Sequence, residues 1–144
     1  MPLLAPGTLA PNFKGINLTG PEINLENYKD KKTVALVFAP DRVDPGATNQ
    51  VKAVYLKHRD QIELITVTRK IPGIAMAKAF LQQLGVNFPT LYDPAMNVYK
   101  AYGVENPVAM FIIDPTGTIV FSAQADADKV DVKTLDDAIV AHVK

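Results

Sequence analysis

The stretch from Thr33 to Gln50 reads TVALVFAPDRVDPGATNQ, and the fold is decided by two changes of pattern inside it. Residues 33–39 (TVALVFA) form a continuous apolar run. Alternation disappears when neither side of a strand meets water, so such a run predicts a strand covered on both faces. Residues 40–46 then bring two prolines, two aspartates and a glycine, which break regular structure and predict a loop. From Thr48 the period changes again. Val51, Val54, Tyr55 and His58 fall at i, i+3, i+4 and i+7, one face of a helix.

Working outward, residues 13–17 and 22–24 flank the turn signal Leu18-Thr19-Gly20-Pro21 and predict a small N-terminal β-hairpin. Residues 63–68 (ELITVT) read as a second core strand, and residues 69–73 as another loop. The helix that follows places Ala77, Phe80, Leu81 and Leu84 on one face, with Gly85 positioned to end it. Residues 88–92 (FPTLY) allow only a short strand, because proline cannot donate within a ladder. Residues 98–102 predict a short helix closed by Gly103.

Residues 109–113 and 118–122 flank Asp114-Pro115-Thr116-Gly117, whose chemistry is that of a type I turn, hence an antiparallel hairpin. A last helix carries Leu135, Ala138, Ile139 and His142 on its apolar face. Strands separated by helices, then a hairpin and a helix, describe an α/β protein with a mixed sheet flanked by helices. No repeat or linker interrupts residues 1–144, which read as one domain.

The chain is 48% hydrophobic and 21% charged, and its 15 basic residues offset 15 acidic ones. This is the balance of a globular protein with no broad charge footprint for nucleic acid or an anionic membrane, so neither is expected as a partner. The N-terminus lacks a basic leader and no apolar run approaches the roughly 18 residues of a membrane span, which predicts a cytoplasmic location. The sequence contains no cysteine. Disulfides, thiolate metal sites and thiol catalysis are thereby excluded for this chain, and no cofactor motif is present.

Four blocks of local sequence carry a resemblance. Residues 7–13 (GTLAPNF) are similar to the opening G-x-x-A-P-D-F of peroxiredoxins, and residues 25–38 (LENYKDKKTVALVF) to their L-x-x-Y-K-G-K-x-V-V-L-x-F, with Asp30 in place of the usual glycine. Residues 88–104 (FPTLYDPAMNVYKAYGV) resemble F-P-L-L-S-D-x-x-x-x-V-A-K-A-Y-G-V, and residues 110–117 (MFIIDPTG) resemble x-F-I-I-D-x-x-G. Their order and separations are those of the peroxiredoxins, the AhpC/TSA group of the thioredoxin-like superfamily, and bacterioferritin-comigratory proteins in particular. The resemblance implies a thioredoxin-like fold. It also makes a homodimer an expectation, because peroxiredoxins commonly pair near the active-site loop.

That loop is where the chain departs from the family. Bacterioferritin-comigratory proteins carry P-x-D-x-T-P-G-C-T-x-E, and the corresponding residues 40–50 read PDRVDPGATNQ. Pro40, Pro45, Gly46 and Thr48 match; Asp44 replaces the threonine, Ala47 the peroxidatic cysteine and Gln50 the glutamate. The step that places the family's active-site arginine before its F-I-I-D strand lands on Val108. Peroxide reduction requires a thiolate, and a threonine hydroxyl has no oxidation step equivalent to thiol to sulfenate. A cysteine-less protein without thiol peroxidase activity is therefore expected, acting as a binding or regulatory module for a protein partner or small ligand. Its pocket would be vestigial, around Pro40, Asp44, Gly46, Ala47, Thr48, Gln50 and Val108.

The alternative is an antioxidant oxidoreductase of the family carrying an engineered Cys-to-Ala change at Ala47. Such an edit alters one position, whereas here four differ together. Other enzyme readings would borrow a partner's thiols or use Asp41 and Asp44, but no base–nucleophile pair supports the latter. Asp44, just before the helix, is expected to cap its free N–H groups.

Elsewhere the plain structural readings are preferred. His58 and His142 are expected to be packed or helix-terminal, and Met76, Met96 and Met110 to be packing residues. One of Asp126, Asp128 and Asp131 is expected to cap the last helix. Asn17-Leu18-Thr19 spells a glycosylation sequon without secretion to use it, and Asn106-Pro107 lies within one residue of the position where thioredoxin-like proteins often hold a cis-proline.

Overall fold

The apolar run at residues 33–39 forms the middle of a sheet. The computed structural model describes residues 3–40, 45–105, 108–124 and 130–143. In it, β3 (Thr33–Phe38) is buried at all six positions. It pairs in parallel with β4 (Ile62–Thr68) and antiparallel with β6 (Ala109–Ile113). β5 (Thr90–Tyr92) and β7 (Ile119–Gln124) complete a five-stranded sheet of order β5-β4-β3-β6-β7. β1 (Lys14–Gly15) and β2 (Ile23–Asn24) form a separate antiparallel ribbon. This is the mixed thioredoxin-like sheet with an N-terminal hairpin that the sequence predicts.

Alternate residues of β3 point into two cores. Ala35 and Val37 pack with Val51 and Val54 of α1 (Pro45–His58) and with Leu135, Ala138 and Ile139 of α4 (Val132–His142). Val34, Leu36 and Phe38 face Phe13, Ile23, Leu25 and the short α3 (Asn97–Ala101). The second core is aromatic at its centre: Phe38 meets Tyr99 and Phe111 edge-on at 4.9 and 5.7 Å between ring centroids. The Tyr102 hydroxyl donates to Pro11 O at 2.7 Å, and burial pushes its ionisation well above the ordinary tyrosine value.

The N-terminal segment pairs along the β5 edge and with the start of β7. On the β5 side, Asn17 bridges Leu91, and its side-chain oxygen accepts from the N–H groups of Thr19 and Thr90 and the Thr19 hydroxyl, at 2.9–3.0 Å. Buried and triply bonded, this amide is closed to glycosylation. On the β7 side, Leu9 bridges Thr118, and Gly7 N donates to Ile119 O at 2.7 Å. The β5 edge and the first residue of β7 are thereby not left as templates for pairing.

Helix ends follow their local chemistry. α2 (Ile74–Gln83) and α3 both stop in a left-handed glycine, Gly85 (φ +69°) and Gly103 (φ +72°). In each, the two N–H groups after the helix return to its last carbonyls, as Val86 N does to Leu81 O at 2.9 Å. Asp131 caps α4 by accepting from Thr134 N at 3.1 Å. Asp93, itself buried, accepts from the N–H groups of Asn97, Val98 and Tyr99 at 2.9–3.2 Å and so anchors α3.

Four expectations are corrected. α1 begins at Pro45, three residues before the apolar period starts at Thr48. Proline's fixed φ suits a first helical turn, where its missing N–H has no intrahelical acceptor to lose. His142 ends α4, as a helix-terminal residue, but is exposed rather than buried with the apolar face, and leans on Phe121, 5.9 Å between ring centroids. Met76 is 65% exposed, unlike buried Met110. β4 and β7 also extend to Ile62 and Gln124, beyond the expected limits. Asp41, Asp44, Asn106, Pro107, Asp126 and Asp128 lie outside the described residues.

Three measurements test this account. Asp93→Ala leaves buried N–H groups without an acceptor and is expected to cost about 2 kcal/mol in urea unfolding. Asp30 holds a left-handed backbone at φ +64°, so Asp30→Gly is expected to raise stability by up to about 1 kcal/mol. Asp136 accepts from His58 Nε2 at 2.5 Å and Lys57 Nζ at 2.9 Å, and these bonds, with His58 the larger cause, hold its carboxyl below the ordinary value. A depressed carboxylate stabilises the fold above its unfolded pKa of about 4 and loses that contribution as pH falls. Asp136→Asn is therefore expected to lower Tm at pH 7, with the gap from the parent closing as the pH is taken below 4.

Candidate functional site

A cleft of about 290 Å³ opens between α1, α2 and the β4–β5 side of the sheet. It exists because α2 packs loosely. Ala77 is its one buried residue, while Phe80, Leu81 and the following Leu84 are only half-buried. A single small side chain cannot draw a ten-residue helix down onto the sheet. Lys52 of α1 holds the far end, donating from Nζ to Leu84 O at 3.0 Å, a cation against the carbonyl end of a helix. Tyr55 and Phe88 stack edge-on at 5.6 Å beside it.

One wall is the first turns of α1, with Ala47, Thr48 and Val51, and the other is α2, with Met76, Ala77, Phe80 and Leu81. The floor is different. Thr66 and Thr68 of β4 and Thr90 of β5 line it, and Thr66 Oγ1 lies 3.0 Å from Thr90 Oγ1 across paired strands. Lys70, Ile71 and Pro72 stand at the loop that leads into α2. The result is an apolar cleft with a strip of hydroxyls at its base.

The residues singled out from the sequence divide into three sets. Pro40, Ala47 and Thr48 line the cleft together. Gly46 and Gln50 are exposed on α1 and do not line it. Val108 is fully buried in the core shared with α1 and α4, so an arginine at this position would have to leave the core to reach the cleft. Asp44 falls outside the described residues, and so does its expected capping role.

Sequence reasoning missed the floor and the α2 wall. The signal was available in residues 63–68 (ELITVT): a period of two puts Leu64, Thr66 and Thr68 on one face, so polar groups interrupt an inward-facing row. Chemically, the described lining offers hydroxyls and the Lys70 ammonium, with no thiol, imidazole or carboxylate. No group of three or more His, Asp or Glu side chains among the described residues could hold a metal. His58 sits at the other end of α1 in its pairing with Asp136. Among the described residues no helix is long and apolar enough to cross a membrane.

Known proteins share this fold. Thiol-disulfide oxidoreductase ResA of Bacillus thuringiensis is 29% identical over 126 residues, 85% of this chain and 72% of that protein. A Helicobacter pylori protein under the provisional name peroxiredoxin bcp is 32% identical over 108 residues, 72% of this chain and 70% of its own length. The solved structure of Mycobacterium tuberculosis AhpC superposes with a TM-score of 0.79, covering 97% of this chain and 95% of that one at 21% identity, a likeness of fold. The profile described as AhpC/TSA family matches residues 6–122, and the chain belongs to that family, as a member without cysteine.

Proposed function

We propose that this chain works by binding a small, mostly apolar ligand in the cleft beside Ala47, and that it has no thiol peroxidase activity of its own. The observation that carries the reading is the place of Ala47. It occupies the first turn of α1, where the helix dipole favours a thiolate, yet its methyl is part of an apolar wall. Without a thiol nothing in the described lining forms a sulfenate or attacks a disulfide. The concavity remains, near the lower end of the size range of small-molecule sites, with apolar walls and a few polar groups at one place. Thiol–disulfide and peroxide chemistry belong to the relatives by name and need a group this chain lacks.

The test is peroxide consumption by the pure chain beside its Ala47→Cys variant, each with a thiol reductant. The parent is expected to consume none. The variant is expected to be oxidised slowly, without sustained turnover, because no arginine lines the described cleft. Rapid, sustained turnover by Ala47→Cys would show a peroxidase lacking one atom group, and peroxide turnover by the parent would end the binding reading. Adding Val108→Arg is not a useful complement, since it forces a charge into a fully buried position.

A further inference from the structure

The hydroxyls at the base of the cleft lack one short-range acceptor. Thr66 and Thr90 are 8% and 5% exposed, and both line the cleft. Each hydroxyl has one proton to give. One proton is used in the Thr66–Thr90 bond at 3.0 Å. Among the described residues the other acceptor recorded for the pair is Pro89 O, 3.5 Å from Thr66 Oγ1, well beyond the usual O–H···O range, and its shorter bond is the one from Thr66 N at 3.0 Å. The backbone N–H of Thr90 is satisfied separately by Asn17.

From this we infer that the cleft takes a compact apolar molecule bearing one neutral carbonyl, whose oxygen accepts the second hydroxyl proton. The inference rests on the binding reading above and specifies its ligand. A charged head group is disfavoured at the floor, because a carboxylate there loses its hydration and meets two neutral hydroxyls in return, the exposed Lys70 standing in the loop that leads into α2. At about 30 Å³ for a water-sized group, 290 Å³ holds on the order of ten non-hydrogen atoms. A simple aryl ketone has that size. The hydroxyls orient it while Val51, Phe80 and Leu81 cover its ring.

Acetophenone is the probe and ethylbenzene its counterpart without the oxygen. Each is titrated into the isotope-labelled full chain while amide shifts are followed by NMR. Acetophenone is expected to shift amides of α1, α2, β4 and β5 and to bind about fivefold tighter than ethylbenzene, the factor for one net hydrogen bond. In Thr90→Val and Thr66→Val the two probes are expected to bind within twofold of each other. Ala77→Phe, which fills the cleft and spares the hydroxyls, is expected to abolish binding of both.

Equal affinities in the parent would overturn the carbonyl inference while leaving apolar binding intact. A ketone preference that survives both valine variants, or binding that survives Ala77→Phe, would overturn it too. So would absence of any shift at the cleft. None of these results depends on the peroxide assay, so the two readings fail separately.

Discussion

β3 has no solvated face, and that constraint organises the rest of the molecule. All six of its residues are buried, so each side must be roofed by something apolar. α1 and α4 roof one side, and α3 with the N-terminal ribbon roofs the other. Alternation along the strand then assigns every neighbour to a layer: Ala35 and Val37 to the helix side, Val34, Leu36 and Phe38 to the aromatic side. At about 25 cal/mol per Å² of apolar surface removed from water, such two-sided burial outweighs any local preference in the flanking loops.

The candidate site lies where this roofing thins. Along the helix-facing side of β4, Ile62 and Leu64 sit under α1, whereas Thr66 and Thr68 lie under α2, which brings down only Ala77. One small buried side chain above and hydroxyls below leave space that does not collapse, because Lys52 and the Gly85 turn hold the distal end of α2 at a set height. The cleft is thus a consequence of residue size at two facing surfaces. Its position beside Ala47 follows from chain order, since the β3–α1 loop delivers the first turn of α1 to the same end of the sheet as the β4–α2 loop.

Elements with strong periodicity or punctuation were legible in the sequence. The run at residues 33–39, the glycine stops at Gly85 and Gly103, and the Asp114–Gly117 turn all reappear as strand, helix ends and hairpin. Each depends on interactions within a few residues. Harder to read were features that depend on distant partners. His58 looked solitary because Asp136, its partner, lies 78 positions away. Met76 and His142 lie on helices yet stay exposed, and Val108 aligns with a site residue while its side chain turns into the core.

The absence of cysteine is a property of composition, and it alone removes thiol chemistry from this chain whatever its shape. Family membership and the order of elements are likewise written in local patterns. Tertiary structure decided something else: that Pro40, Ala47 and Thr48 share a wall, that Gly46, Gln50 and Val108 do not, and that Thr66 and Thr90 meet at the base. The reason is physical. A cavity is the space left between elements, and its volume and polarity are set by how closely α2 approaches the sheet, a distance fixed by side chains that are far apart in sequence.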